Sequence, residues 1–121
     1  MSLSTIGMDI VIVKDKITLE EIRELAKVFY VSMIKGVVDI EREVVAFGGE
    51  YHMDANMILI ESGSKQKDIW GFNVYFDEPK DSWLEYNSLI NIRPLAGNNT
   101  LKVQDEKIQQ QMKRIIESKI I

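Results

Sequence analysis

Ile69-Trp70-Gly71-Phe72-Asn73-Val74-Tyr75-Phe76-Asp77 alternates with a period of two. Trp70, Phe72, Val74 and Phe76 share one side, while Gly71, Asn73, Tyr75 and Asp77 share the other. Successive side chains of a strand project to opposite faces, so this stretch predicts a strand with one apolar face. Glu78-Pro79-Lys80-Asp81 ends it, because proline cannot donate to a ladder. Residues 83–93 alternate again, with Leu84, Tyr86, Ile90 and Ile92 on one side. Trp83, Glu85, Asn87, Leu89, Asn91 and Arg93 lie on the other, which predicts an exposed Trp83 ring and a buried Trp70. Two such runs joined by a short break predict antiparallel neighbours.

Working upstream, Met57-Ile58-Leu59-Ile60 is apolar on both parities, as a strand covered on both faces would be. Glu61 to Asp68 reads as a turn. Val37–Phe47 is rich in β-formers and predicts a strand that ends at Gly48-Gly49. Before it, Thr18-Leu19-Glu20-Glu21 is a capping box, and Leu19, Ile22, Leu25, Ala26, Phe29 and Met33 recur at helical spacing. That pattern predicts a helix over 18–35 stopped by a left-handed Gly36. Asp9–Val13 is a short β-branched run and predicts the first strand. At the far end, Asp105 caps a stripe of Ile108, Met112, Ile115, Ile116 and Ile120, which predicts a second helix. The order is β-α-β-β-β-β-α. It predicts an α+β fold: a single, mainly antiparallel sheet of about five strands with two helices on one side. Residues 1–7 read as a tag or flexible arm and residues 8–121 as one α+β domain.

Composition narrows the function classes. The 121 residues carry 15 Lys and Arg against 19 Asp and Glu, a net charge of −4. An acidic chain argues against a general nucleic-acid binder, since such proteins present a basic stripe. No cysteine is present, which excludes disulfides, thiolate metal sites, iron–sulfur clusters and a cysteine nucleophile. No apolar run approaches the roughly 18 residues of a membrane-spanning helix, and the first residues lack the pattern of a signal peptide. The expected compartment is the cytoplasm, with no membrane partner.

Gly49-Glu50-Tyr51-His52-Met53-Asp54-Ala55-Asn56 contains the only histidine. As an extended ribbon it aligns Glu50, His52, Asp54 and Asn56 on one face. A carboxylate there could orient the imidazole as a general base, which makes His52, Glu50 and Asp54 the catalytic candidates. The spacing matches no zinc signature, and no metal or cofactor is assigned. The bland alternative is a solvated ribbon with His52 bonding a neighbour. A second polar group gathers Asn73 and Tyr75 with Asn87, Asn91 and Arg93 from the following strand, and Asn98 from the loop after it. Arg93 at a strand end suits bidentate grip on a carboxylate or phosphate. Asn and Arg are also ordinary on the solvated face of an antiparallel sheet.

These segments resemble a small prokaryotic domain family of unknown function. The resemblance rests on Gly48-Gly49-Glu50-Tyr51-His52-Met53-Asp54-Ala55, Trp70-Gly71-Phe72-Asn73 and Ile90-Asn91-Ile92-Arg93-Pro94, in order and at matching intervals, and it implies no activity, cofactor or partner. The residues themselves suggest an uncharacterised small domain that binds a small polar or anionic ligand, or a partner, through a polar sheet face. Arg93 would clamp the ligand, with Asn73, Asn91, Asn98 and Tyr75 orienting it. The alternatives are a small hydrolase using His52 with Asp54 or Glu50, and an RNA-cleaving toxin or its partner. Whether the chain is an enzyme stays open at this point. A free edge strand would allow a homodimer.

Overall fold

The computed structural model describes residues 4, 5 and 9–121, so the expected arm over 1–7 lies outside the described residues except at Ser4–Thr5. The elements are β1 (Ser4–Thr5), β2 (Ile10–Val13), α1 (Leu19–Ala26), β3 (Ile34–Asp39), β4 (Val44–Gly48), α2 (His52–Glu61), β5 (Ile69–Val74), β6 (Leu84–Glu85) and α3 (Glu106–Lys119). The strands form one sheet in the order β1-β2-β4-β3-β5-β6, with every pair antiparallel. The α+β class with an antiparallel sheet is therefore as expected. The expected homodimer needs a free edge, and among the described residues both outer strands have only two residues.

The period of two sorts the core. Val11, Val13, Val38, Val45, Phe47, Trp70, Phe72 and Val74 face α1 and α3, where Ile22, Ala26, Met112, Ile115 and Ile116 complete one cluster. Ile10, Ile12, Val37, Val44, Ala46 and Ile69 face the other way and meet Ala55, Leu59 and Ile90. The sheet is thus covered on both faces, not on one. The additional cover is α2, which occupies residues expected to be an extended ribbon and a strand. His52, Ala55, Asn56 and Leu59 are its buried residues, at i, i+3, i+4 and i+7. Met53, Ala55, Met57, Leu59 and Glu61 are all good helix formers, which favours the helix over the ribbon.

Three further boundaries differ from expectation, each for a local reason. Helix α1 keeps its capping box, with Glu21 N–H donating to Thr18 Oγ1 at 3.0 Å. It stops at Ala26, because Val28-Phe29-Tyr30-Val31 is a β-branched and aromatic run with low helix propensity. The expected strand 37–47 is instead a hairpin. Asp39 Oδ1 accepts from the backbone N–H of Glu41 and Arg42, both at 2.9 Å, and Glu43 takes a positive φ of 55° to close the turn. Residues 83–93 form a strand only at Leu84–Glu85, and the chain then runs to Val103 through short 3₁₀ turns at Leu89–Asn91 and Pro94–Ala96. Trp83 is buried, not exposed, with Nε1 donating to Glu117 at 3.4 Å.

Gly36 is no helix stop. It lies inside β3 between Phe47 and Phe72, whose rings meet edge-to-face at 5.8 Å. A Cβ at this position would stand 2.4 Å from Phe72 Cζ. Gly36→Ala is therefore expected to lower stability by about 1–3 kcal/mol through overpacking, read from urea unfolding midpoints. An unchanged midpoint would contradict the packing role.

Candidate functional site

The long irregular segment after β6 must satisfy its own backbone and the free edge of β5. Asn91 does most of this. Its Oδ1 accepts from Gly71 N–H at 2.8 Å, and its Nδ2 faces the carbonyls of Gly71, Leu101 and Tyr86 at 3.0, 3.1 and 3.3 Å. One side-chain amide thereby replaces a paired strand residue along β5. Arg93 continues the same edge: it donates to the carbonyl oxygens of Ile69, Lys67 and Ile90, and its guanidinium lies 4.3 Å from the Trp70 ring centroid. Burial lowers its pKa, with Asp68 opposing. Asn98 donates to the carbonyls of Asn91, Thr100 and Lys102 and accepts from Gln104 N–H. Three of the residues expected to grip a ligand are thus engaged with backbone groups of their own chain.

The first turn of α2 redistributes the other candidates. Asp54 accepts from Tyr51 N–H at 3.0 Å, closing the helix start. Glu50 is exposed, and its backbone carbonyl accepts from the Tyr30 hydroxyl at 2.9 Å. His52 points inward, with Nε2 2.8 Å from the Phe72 carbonyl oxygen. The expected ladder of Glu50, His52 and Asp54 is not assembled, since a helix turns side chains two residues apart to different sides. Asn56, expected on that ladder, pairs both ways with the Gln66 amide at 2.7 and 2.8 Å. Among the described residues, no three His, Cys, Asp or Glu side chains group as a metal would need.

What forms instead is a cavity of about 420 Å³ between the start of α2 and residues 87–101. Its polar lining is Lys35, His52, Asn73, Asn87 and Ser88. Lys35 and Asn73 are cross-strand partners in β3 and β5, so both project from the same sheet face. Asn73 donates through Nδ2 to Glu85 Oε1 at 2.8 Å and to the Asn87 carbonyl at 3.4 Å. Its Oδ1 is buried without a partner among the described residues. Tyr75 is linked to Asn73 only through Glu85, whose Oε1 accepts from the Tyr75 hydroxyl at 3.3 Å. Burial, and then Glu85, raises the Tyr75 pKa.

Electrostatics fix the state of His52. Burial pushes its pKa down to about 4, Lys35 adds to the effect, and hydrogen bonds to the Phe72 carbonyl and the Asn73 side chain, with the charge of Glu85, oppose it. The imidazole is neutral near pH 7, and Nε2 carries the proton because a carbonyl can only accept. Above this polar floor stands an apolar rim of Tyr51, Met53, Leu89, Ile90 and Leu101. Leu89 is 77% exposed and Tyr51 62%. Single exposed apolar residues are ordinary, but grouped around one cavity they make an amphipathic mouth.

A family model described as "Protein of unknown function (DUF5674)" matches residues 11–119. The chain belongs to the DUF5674 family. No curated protein and no solved structure matches it. Within the described residues of this DUF5674 chain, no helix is long and apolar enough to cross a membrane.

In this DUF5674 domain, His52, Asn73 and Asn87 are the sequence-derived residues that reach the cavity, while Lys35, Ser88 and the rim residues carry no signal as a group in the sequence. Lys35 was hidden by its assignment to a helix. Once β3 is a strand, its register opposite Asn73 puts the two together.

Proposed function

We propose that this domain binds a small amphipathic molecule in the cavity bounded by α2, β3, β5 and residues 87–101. The supporting observation is a polar lining of Lys35, His52, Asn73, Asn87 and Ser88 beneath an exposed apolar rim. A volume of about 420 Å³ suits a ligand of metabolite size. The expected polar ligand surface is kept in this reading, but it moves from Arg93, Asn91 and Asn98 to Lys35, His52 and Asn73. General-base hydrolysis is less well supported, because Asp54 serves the helix start and His52 is a weak base.

The test uses 8-anilinonaphthalene-1-sulfonate, which combines apolar rings with an anion. Its fluorescence is expected to rise on titration with the folded wild type and to stay near background with Leu89→Asp, at equal far-UV circular dichroism. Equal enhancement in both proteins, or none in either, would count against the cavity.

A further inference from the structure

We infer that the molecule taken by this cavity is an organic acid, one negative charge on an apolar body, with Lys35 as its counter-ion; the step rests on the binding reading above. Lys35 is the one Lys, Arg, Asp or Glu in the lining. It is half-buried in β3 opposite Asn73, on the sheet face where Val37 meets Ala55 and Leu59 of α2. Its ammonium lies 5.4 Å from the centroid of the Tyr30 ring, and among the described residues it forms no ion pair. The carboxylates of the flanking elements are engaged elsewhere. Glu85 accepts from Asn73 Nδ2 and the Tyr75 hydroxyl, and Asp54 accepts from Tyr51 N–H. Glu50 is exposed and outside the lining.

An occupant of the cavity displaces water from that ammonium. A charge taken out of water without a partner costs far more than a neutral polar group does. A neutral occupant leaves the ammonium in that state, and a cation adds repulsion to it. An anion neutralises it, and beside an apolar rim the pair is stronger than it would be in bulk water. The ammonium already acts on the interior, since it helps to hold the buried His52 ring neutral. One ammonium matches one negative charge. The lining holds no second Lys or Arg, so a monoanion fits better than a phosphate monoester dianion. His52 is held by the Phe72 carbonyl and the Asn73 side chain, so these two residues form wall and leave recognition of charge to Lys35. The apolar body of the ligand then rests against Met53, Leu89 and Leu101.

The anilinonaphthalene sulfonate dye and its neutral parent, N-phenyl-1-naphthylamine, share one ring system and differ by the charged group. Each is titrated by fluorescence at pH 7 into the full chain as wild type, Lys35→Met and Leu89→Asp. Methionine keeps an unbranched apolar stem in the strand and removes the charge. Lys35→Met is expected to weaken the sulfonate dye about tenfold and to leave the neutral dye within about twofold of wild type. Leu89→Asp is expected to abolish binding of both. A sulfonate dye bound as tightly by Lys35→Met as by wild type, or two dyes weakened alike, would overturn the organic-acid inference. The cavity reading then still stands if Leu89→Asp abolishes binding of the neutral dye. Neutral dye held equally by wild type and Leu89→Asp, or neither dye held by wild type, would overturn the inference and the binding reading together. If Lys35→Met loses the native circular dichroism, salt decides in its place. Raising sodium chloride from about 20 to about 500 mM is expected to weaken the sulfonate dye alone, and an equal response of the two dyes in wild type would overturn the inference.

Discussion

Asn91→Ala is expected to lower the unfolding free energy by about 3 kcal/mol or more, and the melting temperature by about 10 °C. The size follows from what the side chain does. Asn91 is fully buried, and its amide satisfies both Gly71 N–H and Gly71 C=O on the edge of β5. Truncation leaves those two Gly71 groups without a partner, while the carbonyls of Leu101 and Tyr86 lose one donor each and keep the N–H groups of Ser88 and Val103. No backbone can move in as a replacement: Ser88 Cβ stands 2.5 Å from where a Gly71 Cβ would be, so that segment is already at closest approach. Asn91→Asp is the sharper variant. It keeps an acceptor for Gly71 N–H but sets a carboxylate against three carbonyl oxygens, so at pH 7 it is expected to cost at least as much as alanine. Thermal unfolding of the three proteins decides the matter. A melting temperature unchanged or raised in Asn91→Ala would return the residue to ligand binding, since groups held for function commonly cost stability.

This residue also shows where the sequence was legible and where it was not. The parity of Ile69–Val74 was readable because both faces of a strand obey one period, and the structure places Trp70, Phe72 and Val74 in one core cluster with Gly71 and Asn73 on the opposite face. Helix α3 was readable because Met112, Ile115 and Ile116 are all apolar. Helix α2 was not, because His52 and Asn56 occupy two of its four buried positions and break the apolar stripe. The polar residues Asn91, Arg93 and Asn98 have the types of a ligand clamp, but an irregular covering segment demands the same types to satisfy carbonyls and amides. Type alone does not separate the two uses; only the positions of the partner atoms do. The hairpin turn at Ile40–Glu43 was hidden for a related reason. It contains no glycine or proline, and Asp39 Oδ1 with a left-handed Glu43 does their work.

Acid is expected to weaken wild type more than a His52→Gln variant. The sign follows from the direction of the pKa shift. His52 falls from 6.5 to about 4 on folding, so on acidification the unfolded chain takes up the proton first. The stability that the neutral ring contributes is complete above pH 6.5 and is lost as pH drops towards 4. At pH 4.5 this single group is expected to remove about 2.5 kcal/mol relative to pH 7. Glutamine can donate to the Phe72 carbonyl in place of Nε2 and does not titrate, so the variant lacks that component of the slope. Urea unfolding at pH 7 and pH 4.5 measures both differences, and parallel behaviour of the two proteins would contradict a buried, neutral His52. Protonation cannot be absorbed locally at no cost. The new Nδ1–H would gain Asn73 as a partner, but the cation would remain buried and repelled by Lys35. The same burial that makes the fold acid-sensitive keeps the ring neutral at pH 7.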